Sequence, residues 1–254
     1  HTADNGERRI EVVVVAARRD MLTSHMEALK KAGLRPVGID LSAFGMIRAL
    51  ADGHGDAVGT AQFVAAPTSY EDRMASGSAA PDPLAAGPQG LPAALYCHFG
   101  DVVNLAVASG RTCVFSRTSP FGVEGIAQKL AERRRLTLEH ARQWLIHVGL
   151  ETNLEAIDGD PQIVTAARDT LLEGSKRLAD ELRLSLQYYG AQNHALAVEK
   201  VIACGQGTTI PGLIEQLQSD LGLPFTVSAP PDLDGLAADD RARLTVSYGL
   251  ALEE

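Results

Sequence analysis

Val201-Ile-Ala-Cys-Gly-Gln-Gly-Thr-Thr-Ile-Pro-Gly-Leu213 decides the fold. A short apolar run meets a glycine-rich turn, and an amphipathic helix is expected from Pro211 or just beyond it. Gly205 and Gly207 have no Cβ, so a ligand can approach their backbone closely. The first amides of a helix are unsatisfied and carry partial positive charge, which suits a nucleotide or another anion. A second, weaker turn, His98-Phe99-Gly100-Asp101, follows another apolar run upstream. Two such turns suggest a two-lobed nucleotide-binding architecture. Spacing alone leaves a second reading open, in which the glycines merely allow tight strand-to-helix packing. The turn is not a dinucleotide fingerprint, because the third glycine of G-x-G-x-x-G would fall at Ile210. No P-loop and no nucleophile elbow occur.

Composition sets bounds around these turns. The chain has 254 residues, 45% of them hydrophobic, which is enough for one large domain or two modest ones. A net charge of -9 without a basic stripe argues against nucleic-acid binding. Cys97, Cys113 and Cys204 are widely spaced and odd in number, so neither a disulfide scaffold nor a zinc ribbon is suggested. A reducing compartment fits them. No apolar stretch approaches the roughly 18 residues of a membrane span. His140 and His147 lack companion ligands for zinc, so no metal site is expected, and no catalytic residue is legible. Asp101, Asp158 and Asp160 read as turn residues. Arg133-Arg-Arg135 reads as a helix C-terminus, with an acidic-partner contact as the second reading.

The chain divides into three blocks. Residues 1–50 read as strand (10–17), helix capped by Asp20 and closed by Gly33, strand (36–40), and helix capped by Ser42. Residues 51–92 are rich in Gly, Pro and Ser and read as a flexible insert. Residues 93–254 open with antiparallel strands joined by a Ser109-Gly110 hairpin. Helices are expected at 123–134, at 138–148 behind a Thr137 cap, and at 162–189. A strand at 198–203, the glycine turn, a helix to about Leu221, a strand at 225–228 and a last helix at 239–252 complete the block.

This order of segments resembles the PilM family of type IV pilus assembly proteins, in the competence-protein and FtsA-like branch of the actin-like ATPases. Three stretches carry the resemblance: Leu29-Lys-Lys-Ala-Gly-Leu-Arg-Pro-Val-Gly-Ile-Asp-Leu-Ser-Ala-Phe44, Arg117-Thr-Ser-Pro-Phe-Gly122, and Cys204-Gly-Gln-Gly-Thr-Thr-Ile-Pro-Gly-Leu213. The resemblance implies an α/β, actin-like ATPase (ribonuclease H-like) fold with a small FtsA-like mixed α/β subdomain. Residues 1–50 would belong to the first lobe, and 93–254 to the second, with a helical subdomain at about 120–190. Strands and a first phosphate motif of the family should precede residue 12, so the chain reads as N-terminally incomplete.

The resemblance also implies a nucleotide site. Gly205, Gln206, Gly207 and Thr208 would line its adenosine side, and Gly100, Asp101 and Asn104 its phosphate side. Mg-ATP is the implied ligand. One departure bears on it: the second phosphate motif of the family begins with a carboxylate, and His98 stands there. A histidine does not serve a hard, oxygen-seeking Mg²⁺. The expectation is therefore a degenerate site on a catalytically inactive scaffold. The scaffold would be cytoplasmic, held at the inner membrane by a PilN-like cytoplasmic tail and other pilus assembly proteins. An unpaired sheet edge would favour a homo-oligomer. The alternatives are an active Mg-ATP-dependent ATPase and a filament-forming cell-division or shape protein.

Overall fold

The computed structural model describes residues 17–51, 92–192 and 195–252. The expected strand at 10–17 and nearly all of the insert at 51–92 lie outside them. The described residues up to Asp40 fall in one compact unit, and those from Leu41 onward in a second.

The first unit contributes helix α1 (Arg19–Lys31). Asp20 sits inside its first turn, where its carboxylate accepts the Met21 N–H and pairs with Arg18. Leu22, Met26 and Leu29 are its half-buried positions, in keeping with a helical period. The Gly33 N–H donates to Lys30 and the Leu34 N–H to Leu29, closing the helix. Among the described residues, 36–40 do not pair as the expected strand, and Val37 stands fully exposed.

The second unit is built on a five-stranded sheet of order β3-β2-β1-β4-β5. Its strands are β1 (Ala93–Phe99), β2 (Val103–Ser109), β3 (Thr112–Ser119), β4 (Val198–Cys204) and β5 (Phe225–Val227). β1, β2 and β3 are antiparallel neighbours, whereas β4 runs parallel to both β1 and β5. The helices are α2 (Ser42–Leu50), α3 (Val123–Arg134), α4 (Leu138–Val148), α5 (Pro161–Gly190), α6 (Leu213–Leu221) and α7 (Ala238–Ala251).

Side chains alternate across each strand, so one apolar run feeds two cores. Leu95, Cys97 and Phe99 of β1, Leu105 and Val107 of β2, and Val201 and Ala203 of β4 pack with α3 to α6. Ala94, Tyr96, Ala106, Ala108, Ile202 and Cys204 pack on the opposite face with α2. α7 closes over α2 on that side, where Val246 and Tyr248 meet the same cluster. The sheet is thus sandwiched between two helical layers.

Local chemistry sets the helix ends. The Thr137 hydroxyl accepts the His140 N–H at the start of α4, as its sequence position suggested. Asp160 accepts the Gln162 N–H, and Pro161 occupies the first turn of α5. Val164, Ala167, Leu171, Leu178, Leu182 and Tyr189 form the buried stripe of α5. The Tyr189 hydroxyl accepts the Leu196 N–H, pinning the chain as it returns toward β4.

Candidate functional site

The parallel pairing of β1 with β4, in register at His98 and Cys204, ends both strands on the same edge of the sheet. Their following turns therefore become neighbours, at the carboxyl ends of parallel strands where α/β sheets take ligands. The two glycine turns singled out in the sequence are brought together here.

Gly205 has φ +90°, and a Cβ on it would lie 2.8 Å from the Phe99 carbonyl oxygen and 2.9 Å from His98 Cδ2. A Cβ on Gly207 would lie 2.6 Å from Phe99 Cβ and 3.0 Å from Val123 Cγ1. On that side, the room left by both glycines is taken by the end of β1 and the start of α3. Gly122 adds a third close approach, since its Cβ would fall 2.3 Å from the Gly100 carbonyl oxygen. The same carbonyl accepts the Val123 N–H at 2.9 Å, so the second turn caps the entry to α3. Sequence reasoning gave Gly122 no role of its own. Its position immediately before an apolar helix start was the available signal.

Gln206 to Thr209 form a single 3₁₀ turn. The Thr208 hydroxyl donates to the Gly205 carbonyl at 2.8 Å, and the Thr209 hydroxyl to the Gln206 carbonyl at 2.8 Å. Gln206 is half-buried. α6 begins only at Leu213, beyond this turn. The segment leading into it is docked elsewhere: the Leu150 N–H donates to the Pro211 carbonyl at 2.7 Å, and a Gly212 Cβ would meet Glu151. The start of α6 thus lies against residues 150 and 151.

On the other turn, Gly100 is buried and Asp101 is exposed. Asn104 lies on β2, opposite His98 on β1 and Thr118 on β3. Its Oδ1 accepts the Thr118 hydroxyl at 3.0 Å. Thr118, Asn104, His98 and Cys204 form one row across four strands.

His98 is the pivot of this row. Its ring lies where a Cβ on Gly100 would fall 2.6 Å from Cε1. It is therefore wedged between Gly100 and Gly205. Its Nδ1 is buried with no hydrogen-bond partner among the described residues. Burial pushes the imidazole pKa below its ordinary value, and the nearby Asp101 carboxylate offsets this only in part. Burial therefore favours the neutral form of the ring. Burial pushes the Cys97 and Cys204 thiols up, so neither is a ready nucleophile.

These turns present one exposed carboxylate and one neutral imidazole. The imidazole does not suit a Mg²⁺ ion, which takes oxygen ligands in near-octahedral array. Among the described residues, no group of three or more His, Cys, Asp or Glu is placed to hold a metal ion. An open groove lined by Leu172, Lys176, Arg183 and Asp220 lies between α5 and α6 and shares no residue with either turn. Among the described residues, no helix is long and apolar enough to cross a membrane.

No protein-family model and no curated protein matches the chain. Solved structures do. A PilM–PilN type IV pilus biogenesis complex matches with TM-score 0.61 at 21% identity, covering 92% of this chain and 58% of that one. MreB5 of Spiroplasma citri bound to AMPPNP matches with TM-score 0.56 at 16% identity, covering 92% and 64%. The ADP-bound form of MreB5 matches with the same TM-score at 14% identity. The chain spans less than two thirds of the length of each. At these identities the likeness concerns the fold: the chain has the mixed α/β fold of the actin-like ATPases.

Proposed function

We propose that the protein is a PilM-like scaffold of type IV pilus assembly whose nucleotide site is degenerate. In this reading it works in the cytoplasm. It binds the cytoplasmic tail of a PilN-like inner-membrane protein and links it to the cytoplasmic machinery. Residues 93–254, with helix α2 (Ser42–Leu50) packed on their sheet, act as the second actin-like lobe, and the residues up to Asp40 belong to the first. Gly205, Gln206, Gly207 and Thr208 are the remnant of an adenosine side, and Gly100, Asp101 and Asn104 of a phosphate side.

The observation that carries this reading is His98. It fills the space between the two turns with a neutral ring, at the point where the resemblance places a Mg²⁺-orienting carboxylate. Without that carboxylate, Asp101 would have to position the metal alone, and it stands exposed on the turn. The family choice is supported by the PilM–PilN complex among the similar structures.

The test is a titration of the protein with a synthetic PilN cytoplasmic-tail peptide, with and without Mg-ATP. Saturable binding with the same Kd in both conditions is expected. Absence of binding would count against the scaffold reading. The comparable likeness to nucleotide-bound MreB5 keeps a filament-forming ATPase as the second reading. Sedimentable polymer that forms only with Mg-ATP would favour it.

A further inference from the structure

We propose that the outer edge of β3 takes an extended acidic and apolar segment of another protein by strand addition. β3 is eight residues long and lies at the end of the sheet. Among the described residues, no strand pairs with its outer side.

The direction of its backbone groups follows from the registers. Val201 gives its N–H to Pro224 on the β5 side. Direction alternates along a strand, so Leu95 and Cys97 turn to β4, and Tyr96 and His98 turn to β2. Val103, Leu105 and Val107 then bond to β3, where Ser119, Arg117 and Phe115 answer them. The N–H and C=O groups of Ser116 and Thr118 therefore face outward. Both residues are exposed. Such a row is a template for an added strand.

A second copy of this chain fits the edge poorly. In a symmetric antiparallel pair, outward residues must oppose outward residues. Centring on Ser116 sets Thr118 against Val114, which is the bulged residue between the partners of Val107 and Ala108. Centring on Arg117 puts two guanidinium groups directly opposite each other. Centring on Thr118 sets Ser116 against Pro120, which has no N–H. Each register carries a defect, so the occupant is a different chain.

The side chains describe that chain. Phe115 and Arg117 point to the same side of the sheet as α5. There the Phe115 ring lies 6.0 Å from Tyr188, which is 65% exposed, and Leu184 one turn earlier is 56% exposed. Among the described residues, Arg117 makes a long ion pair with Glu181, 3.8 Å, which uses one of its five donors. The partner strand thus carries an apolar residue opposite Phe115 and, two residues away on the same face, a carboxylate opposite Arg117. The side chain of Thr118 reaches Asn104 in the row beside the turns, but the edge uses only its outward backbone groups and does not depend on the pilus reading.

The probe is a fluorescein-labelled peptide, acetyl-Thr-Val-Thr-Glu-Thr-Val-Thr-amide, read by anisotropy on the full chain. Saturable binding is expected, about two- to five-fold weaker when the peptide Glu is replaced by Lys. Ser116→Pro should abolish binding with little change in Tm, because an outward-facing edge N–H is not used by the fold. Should that variant unfold, a peptide N-methylated along one edge must lose binding to the unchanged protein. No saturation up to roughly millimolar peptide overturns the proposal, as does equal binding by Ser116→Pro or by the N-methylated peptide. A dimer that Ser116→Pro converts to monomer in light scattering would assign the edge to a second copy and overturn it too.

Discussion

Gly45 of α2 and Gly249 of α7 cross in direct backbone contact: a Cβ on Gly249 would fall 1.8 Å from the Gly45 carbonyl oxygen. Arg48 Nε adds a hydrogen bond to the Gly249 carbonyl at 2.9 Å. The crossing joins a helix near the start of the chain to one at its end. No side chain at the contact can give way, since backbone meets backbone. Gly249→Ala should therefore force the helices apart and cost about 3 kcal/mol in urea unfolding, at the upper end for overpacking. A loss below about 0.5 kcal/mol would mean that the crossing is looser than described.

Gly205 and Gly222 separate two costs of replacing a glycine. Both have positive φ, +90° and +69°, but only Gly205 has atoms packed where a Cβ would stand. Gly222→Ala should cost about 1 kcal/mol, the conformational penalty alone. Gly205→Ala should exceed it by about 1–3 kcal/mol because Phe99 must move as well. Equal losses in parallel denaturation curves would contradict the docking of the two turns.

His98 gives a pH signature. Burial holds its folded pKa below the ordinary 6.5, so the unfolded chain takes up the proton first as pH falls. The stability contributed by the neutral ring is fully present above about pH 6.5 and is lost as pH falls through the depressed folded value. His98→Asn should flatten the stability profile in the window just below about pH 6.5, whatever its absolute cost. The carboxylate of Glu173, held low by Lys129 and then Arg133, titrates below this window. An unchanged slope in the variant would remove His98 from the account.

Arg142 forks onto Glu124 with contacts of 2.9 and 2.6 Å, tying α4 to α3. Glu124 is mostly buried, while Arg142 is partly exposed and screened by solvent. Arg142→Ala should cost about 1 kcal/mol by thermal unfolding, and Arg142→Lys about half of that, because an ammonium cannot reproduce the fork. Full retention of stability in Arg142→Ala would show the pair to be incidental.

Much of the second unit was legible in its residues. Thr137 marked the start of α4, and the period from Ala167 to Tyr189 marked α5, because capping and amphipathic spacing act locally. The sheet order was not legible, because the placement of β4 beside β1 depends on contacts far apart in sequence. The expected strand at 36–40 carried a β-branched pattern, but among the described residues it joins no sheet. Gly45 and Gly249 were a missed signal: glycine in a helix interior costs about 1 kcal/mol relative to alanine, so its presence in Ser42–Leu50 and Ala238–Ala251 marked a close crossing. At the site, the sequence brought forward both turns and His98. It could not show that β1 fills the space beside Gly205 and Gly207, because that depends on how the two strands align.

The most direct test of the degenerate site is calorimetric titration of the protein with ATP, with and without Mg²⁺, alongside phosphate release. The account predicts no Mg²⁺-dependent binding heat and no turnover, because in the proposed reading His98 stands where the resemblance places the orienting carboxylate. Saturable, Mg²⁺-dependent binding accompanied by hydrolysis would contradict it.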